Sequence, residues 1–135
     1  MTVLLVEDSK MFRMANARAL VNAGYCVATA ADGEEALRLA WESPPDLILL
    51  DMLLPKVTGL DVLRRLKGDP RTKHVPVIVL SGLSGANRGK LVKEGAVAFF
   101  EKSQKTLENN SADLVEAVQR VLGAKNNRSD KESLP

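Results

Sequence analysis

Five short apolar runs alternate along the chain with five segments of helical period, and this alternation limits the fold more than any other feature. The pattern predicts strands at 2–6, 25–29, 46–50, 75–80 and 97–100, and helices at 9–23, 34–41, 58–67, 84–94 and 113–122. Nearly continuous apolar strands are typical of a sheet that is buried on both faces. We therefore predict an α/β fold, with a doubly wound five-stranded parallel sheet covered by helices on both sides.

The length of 135 residues suits one domain, which we expect to cover residues 1–122. From Gly123 onward the sequence GAKNNRSDKESLP is polar and has no periodicity. We interpret 123–135 as a flexible tail or as the start of a linker. The sequence leaves open whether the chain is a stand-alone protein or part of a larger one.

Composition argues against several classes of function. The net charge is +2, and the chain has only three Phe, one Tyr and one Trp, so we expect no direct contact with nucleic acid. No apolar run approaches the roughly 20 residues of a membrane span, and the opening MTVLLVED reaches acidic residues too early for a signal peptide. The single cysteine, Cys26, fits a reducing compartment, and we expect it to be a buried strand residue. These features predict a cytoplasmic protein that does not contact the membrane.

Polar side chains stand where the predicted strands end. Glu7 and Asp8 follow the first strand, Asp51 the third, Ser81 the fourth and Lys102 the fifth. In a doubly wound sheet the ligand site lies outside the carboxyl ends of the strands, so we expect these side chains to converge there.

The converging residue types are those that phosphoryl transfer requires. Asp51 can serve as a nucleophile toward an activated phosphoryl group, provided that a cation offsets the mutual repulsion. Glu7, Asp8 and Asp51 offer the hard oxygen ligands that magnesium prefers. With one histidine and one cysteine, the chain gives no support to a zinc or iron site. Lys102 and Ser81 can stabilise the oxygens of the phosphoryl group in transfer.

Four stretches of sequence carry a resemblance to a known family: VLLVEDS, LILLDMLLPKVTGLDVL, VPVIVLSG and EGAVAFFEKS. Together they resemble the receiver domain of bacterial two-component response regulators, and the resemblance covers residues 2–122. It implies a flavodoxin-like (βα)5 fold with strand order 2-1-3-4-5.

The resemblance also implies a role for each matched residue. Asp51 would accept a phosphoryl group from phosphohistidine on a sensor histidine kinase or a phosphotransfer protein. Asp8 would bind magnesium directly, Glu7 would help through water, and the backbone carbonyl of Leu53 would complete the metal site. Lys102 would pair with the phosphoryl group.

Signalling in the family implies further roles. Ser81 and Phe99 would form a switch that changes the affinity of one face, built from the fourth helix, fifth strand and fifth helix, for a downstream protein. Leu53 and Leu83 occupy the positions that tune attack of water on the phosphorylated aspartate. Because both are apolar, we expect slow self-dephosphorylation. Whether phosphorylation changes the oligomeric state is left open.

The sequence departs from the family pattern in three places. Ser103 stands where a proline usually follows the lysine, and SQKTLENNS makes a long connection to the last helix. Gly85 and Gly89 weaken the fourth helix, because each glycine costs about 1 kcal/mol relative to alanine.

The first two departures motivate an alternative, a pseudo-receiver that acts as a phosphorylation-independent interaction module. A third possibility is an aspartate-nucleophile phosphatase, which generally needs a second Asp at the position of Leu53. We therefore expect no enzyme beyond catalysis of the protein's own phosphorylation and dephosphorylation.

Overall fold

The computed structural model describes residues 1–81, 88–102 and 109–133, in which strands and helices alternate along the chain. The strands are Thr2–Val6 (β1), Cys26–Ala30 (β2), Leu47–Asp51 (β3), Val77–Ser81 (β4) and Ala98–Glu101 (β5). The helices are Lys10–Asn22 (α1), Gly33–Glu42 (α2), Gly59–Lys67 (α3), Arg88–Lys93 (α4) and Ala112–Ser133 (α5). No helix in these ranges combines the length and the hydropathy that crossing a bilayer requires.

The strands form one parallel sheet in the order β2-β1-β3-β4-β5, which confirms the predicted fold class and strand order. β1 lies between β2 and β3, so the winding of the chain reverses at the boundary of β1 and β3. In folds of this kind, the crevice for ligands opens at the carboxyl ends of the strands on either side of this reversal.

The central strands are buried on both faces because their side chains alternate between two separate cores. Leu4 and Val6 of β1 belong to one apolar cluster, together with residues of α2 and α3. Val3 and Leu5 belong to the other cluster, together with residues of α1 and α5. This two-sided burial explains why the strands read as continuous apolar runs rather than as alternating patterns.

The ends of α1 match the predicted boundary signals. The side chain of Ser9 caps the first turn, as expected for a serine at this position. At the other end Gly24 has φ of 101°, and the N–H groups of Gly24 and Tyr25 donate to the carbonyls of Val21 and Leu20. This pair of bonds satisfies two terminal carbonyls of the helix and directs the chain into β2.

The prediction that regular structure ends at residue 122 is wrong, because α5 continues to Ser133. Extending an existing helix needs no new nucleation, so a polar sequence without periodicity can still continue it. The division of the chain into a domain of residues 1–122 and a following polar segment stays a prediction.

The prediction that Cys26 is buried is also wrong, since its side chain is exposed. Cys26 is the first residue of β2, and β2 lies at the edge of the sheet. The glycine Gly85, the junction at Ser103 and most of the long connection before α5 lie outside the described residues, so the predictions made for them stay predictions.

Gly59 allows α3 to begin directly against the end of β3. A Cβ atom on Gly59 would lie 2.5 Å from the carbonyl oxygen of Asp51 and 2.6 Å from the Cα of Met52. Both neighbours are backbone atoms, so they cannot move aside as a flexible side chain could. The position of Asp51 thus depends on the absence of a side chain at residue 59.

We expect Gly59→Ala to destabilise the fold by about 2–3 kcal/mol, because overpacking against backbone forces the end of β3 to shift. Gly89→Ala is the matched control, since nothing lies within 4 Å of a Cβ at that helical position. The control should remain within about 1 kcal/mol of wild type. Urea unfolding gives the free energy of unfolding of both variants. Equal values for Gly59→Ala and Gly89→Ala would contradict the role assigned to Gly59.

Candidate functional site

Three carboxylates meet at the carboxyl edge of the sheet. Glu7 and Asp8 directly follow β1, and Asp51 is the last residue of β3. Each of the three contributes one oxygen to a group in which all the oxygens lie within 4.8 Å of one another. Glu7 and Asp51 are only 0% and 2% exposed, whereas Asp8 is open to solvent. The cluster therefore concentrates negative charge at a point that can be reached from one side.

Lys102 brings the balancing positive charge to the two buried carboxylates. Its Nζ lies 2.7 Å from Oε1 of Glu7 and 3.1 Å from Oδ2 of Asp51. The backbone N–H of Lys102 donates to the carbonyl of Ser81 at 2.8 Å, which fixes the chain just beyond β5. The sheet thus joins the ends of four strands into one site, as the sequence predicted.

Backbone groups hold the carboxylates in place. The N–H of Leu53 donates to Oδ1 of Asp51 at 3.1 Å, and the N–H of Ser9 donates to Oε2 of Glu7 at 3.2 Å. Each carboxylate oxygen of Asp51 therefore has its own partner: the Leu53 N–H contacts Oδ1, and the Lys102 ammonium contacts Oδ2.

Burial changes the protonation behaviour of the site. The pKa of Glu7 is raised to about 7, mainly by burial and also by the neighbouring Asp51 carboxylate, while the Lys102 ammonium opposes the increase. Burial lowers the pKa of Lys102, but Glu7 and Asp51 outweigh that effect and the net direction is upward. Lys102 therefore keeps its charge, and ionisation of Glu7 is disfavoured unless further positive charge is supplied.

The residues of the cluster fit a magnesium ion. Glu7 Oε1 is buried and has no hydrogen bond with proper alignment, so its contact with Lys102 is an ion pair that leaves acceptor capacity unused. Asp8 offers an exposed oxygen within the same group. Magnesium binds through one or two carboxylates and keeps several waters. This suits a cluster in which two carboxylates are buried and the third is exposed to solvent.

The remaining predicted site residues are placed as follows. Ser81 ends β4 beside Asp51, since Asp51 pairs with Leu80 in the sheet register. Phe99 lies in β5 and is partly buried against the apolar core that packs between the sheet and helices α2 and α3. Leu53, two residues after Asp51, is 72% exposed. Leu83 lies outside the described residues, and its role stays a prediction, as does that of the Leu53 carbonyl.

Two residues of the first turn of α1 reach the site and were not predicted from the sequence. The guanidinium of Arg13 donates to the backbone carbonyls of Glu7 at 2.9 Å and Asp8 at 3.3 Å. The ring of Phe12 lies with its centroid 4.9 Å from Nζ of Lys102. The sequence pattern predicts a helix here, but it does not give the direction in which the first turn of this helix leaves the sheet.

The geometry and the fold together define a class of protein. It is a doubly wound α/β domain whose acidic site could hold magnesium and lies where the winding of the sheet reverses. The family model described as the response regulator receiver domain matches residues 3–119. This chain belongs to that family, the receiver domains of two-component response regulators.

Curated relatives support the family assignment. The response regulator PleD of Caulobacter vibrioides is 39% identical over 102 residues, which is 74% of this chain and 22% of PleD. The polar-differentiation response regulator DivK of Brucella anthropi is 39% identical over 100 residues, which is 73% of this chain and 80% of DivK. This chain thus spans only a minor part of PleD but most of the length of DivK.

Solved structures share the fold. The chemotaxis response regulator CheY4 of Vibrio cholerae has a TM-score of 0.81 at 30% identity, over 89% of this chain and 97% of CheY4. The receiver domain of the sensor histidine kinase PA1611 of Pseudomonas aeruginosa has a TM-score of 0.77 at 31% identity, over 90% and 97% of the two chains. That structure contains a magnesium ion coordinated in its active site cleft.

We expect magnesium to raise the unfolding temperature of the wild-type protein, because a ligand that binds only the folded state adds about 2.7 kcal/mol at a hundred times its Kd. Asp8→Asn should remove most of this gain while leaving the protein in EDTA at least as stable as wild type, since it removes one of three clustered negative charges. Thermal unfolding in EDTA and in magnesium measures both effects.

Asp113→Asn is the matched control, because Asp113 is an exposed aspartate in the first turn of α5. It should show the full magnesium response. An equal magnesium response in Asp8→Asn and wild type would contradict the assignment of Asp8 to the metal site.

Proposed function

We propose that this receiver domain accepts a phosphoryl group on Asp51 in a magnesium-dependent reaction and thereby changes its affinity for a downstream protein. The donor is phosphohistidine on a sensor histidine kinase or a phosphotransfer protein. The observation that carries the proposal is the contact of one lysine, Lys102, with both Asp51 and Glu7 inside a cluster of three carboxylates. A merely structural ion pair needs one carboxylate, not three.

The chain's own residues prepare Asp51 for attack. The Leu53 N–H holds Oδ1, and Lys102 holds Oδ2 at the end of a strand whose backbone is fixed by the sheet. A P–O bond forms to Asp51 as the P–N bond of phosphohistidine breaks, and the leaving nitrogen keeps the electron pair. Lys102 is then in position to pair with an oxygen of the bound group.

Magnesium would be held by Asp8 and Asp51, by Glu7 through water and by the Leu53 carbonyl, and it would neutralise charge between Asp51 and the incoming group. This need for added positive charge follows from the buried carboxylates, which Lys102 alone cannot neutralise. The receiver domain of the Pseudomonas kinase, which holds a magnesium ion in its active site cleft, supports the proposal of a magnesium site in this chain.

The readout is a shift between two conformations in which Ser81 and Phe99 move together. The downstream protein binds at the face of α4, β5 and α5, where Val92 and Val97 are large apolar side chains exposed to solvent. The protein acts in the cytoplasm as a switch and not as an enzyme with a separate substrate, because it catalyses only changes in its own phosphorylation.

Intact mass after incubation with acetyl phosphate tests the proposal. Wild type and Asp113→Asn should each gain the mass of one phosphoryl group in magnesium and nothing in EDTA. Asp51→Asn should gain nothing under either condition, because an amide is not a nucleophile toward phosphorus. A wild-type protein that binds magnesium and gains no mass would favour the alternative, a pseudo-receiver that binds partners without phosphorylation.

Self-dephosphorylation should be slow, because Leu53 is exposed beside Asp51 and has no group that can orient an attacking water. Leu53→Asn should speed the loss of phosphate by about tenfold, because an amide can orient an attacking water but cannot act as the general base that is worth about 10²–10⁴-fold. The decay is followed by mass after removal of acetyl phosphate. Val21→Asn is the matched control, because Val21 is an exposed apolar residue near the C-terminal end of α1, whereas the site lies at the N-terminal end of this helix.

Decay of the wild-type phosphorylated form within seconds, together with no acceleration in Leu53→Asn, would refute this explanation of its lifetime.

A further inference from the structure

The ring of Phe12 touches the site at a point that the reaction described above does not use. Three groups surround the ammonium of Lys102: Glu7 Oε1 at 2.7 Å, Asp51 Oδ2 at 3.1 Å and the centroid of the Phe12 ring at 4.9 Å. An ammonium within about 6 Å of a ring centroid is attracted by the negative face of the ring. Phe12 is thus one of three electrostatic partners of the lysine, and the only uncharged one among these three.

The three partners respond differently to the reaction. Asp51 loses its free carboxylate when it is phosphorylated, and Glu7 and Asp51 share their charge with any bound cation. The ring of Phe12 undergoes no such change. Its attraction for Lys102 persists through each state of the site, so it keeps the ammonium near the acceptor when the carboxylates hold it less strongly.

The ring is mounted on a rigid element. Phe12 lies in the first turn of α1, and its backbone N–H donates to the side chain of Ser9, which caps the helix. The ring is half buried, and Lys102 is only 19% exposed. Water is therefore excluded from one side of the ammonium, which strengthens its interactions with the remaining neighbours.

We propose that Phe12 is a positioning residue for phosphoryl transfer: its ring holds the Lys102 ammonium where it can neutralise the phosphoryl group arriving at Asp51. This inference rests on the proposed function. It assigns to α1 a part in the reaction that depends on the aromatic face of residue 12 and not merely on its volume.

The test compares variants that separate the aromatic face from apolar volume. Phe12→Leu keeps an apolar side chain but removes the ring, and Phe12→Tyr keeps the ring. At saturating magnesium, we expect Phe12→Leu to lower the rate constant for phosphorylation by acetyl phosphate about threefold to tenfold, the range of a partly desolvated cation–π contact. Phe12→Tyr should stay within about twofold of wild type, because its ring has a similar negative face.

Two further measurements distinguish positioning of Lys102 by the ring from a general loss of structure. The magnesium affinity of all variants should match wild type, because the three carboxylates are unchanged. Tyr25→Leu is the matched control for the loss of a partly buried ring, since Tyr25 precedes β2 at the opposite edge of the sheet. It should lose stability without a change in the phosphorylation rate. If Phe12→Leu does not fold, Phe12→Met provides the same comparison.

The outcomes separate the two proposals. No phosphorylation of the wild-type protein would overturn both the proposed function and the role of Phe12. Normal phosphorylation of wild type with equal rates in Phe12→Leu and Phe12→Tyr would overturn the role of Phe12 alone. A slow Phe12→Leu with weakened magnesium binding would also overturn it, because the defect would then lie in the metal site.

Discussion

The concentration of three carboxylates at one edge of a buried sheet is the constraint on which the rest of the site depends. Two of them, Glu7 and Asp51, are removed from solvent, where a negative charge is costly unless it is paired. Lys102 contacts both at once, but burial and the Asp51 carboxylate still raise the pKa of Glu7 to about 7, so the compensation is incomplete. The three carboxylates thus retain an unmet demand for positive charge, which a divalent cation could supply.

The fold serves this constraint by fixing the backbone rather than the side chains. Asp51 closes β3, and the backbone contact at Gly59 leaves no room for that strand end to shift. The guanidinium of Arg13 ties the carbonyls of the Glu7–Asp8 pair to α1. Contacts with backbone atoms therefore help to fix the two acidic residues, whereas Lys102 reaches the carboxylates at the end of a long side chain.

Much of this arrangement could be predicted from the sequence, because the carboxyl ends of parallel strands meet at one edge. That rule brought Glu7, Asp8, Asp51 and Lys102 together. It could not show Phe12 and Arg13, whose reach depends on the direction in which the first turn of α1 leaves the sheet. Nor could it show that Cys26 is exposed, because an apolar run does not distinguish the first residue of a strand from the buried residues that follow. The full length of α5 could not be predicted either, because a helix can continue into a polar segment that has no apolar periodicity of its own.

The site is also assembled from residues that are far apart in the chain. Glu7, Asp51 and Lys102 come from the ends of three strands that only the completed sheet brings side by side. Such non-local contacts form slowly, because the chain loses the entropy of closing long loops before the new contacts stabilise it. During synthesis, a ribosome must therefore have released β5 and the residue after it before Asp51 gains its lysine. An incomplete chain that ends before Lys102 therefore contains Asp51 and Glu7 without the lysine that balances their charge.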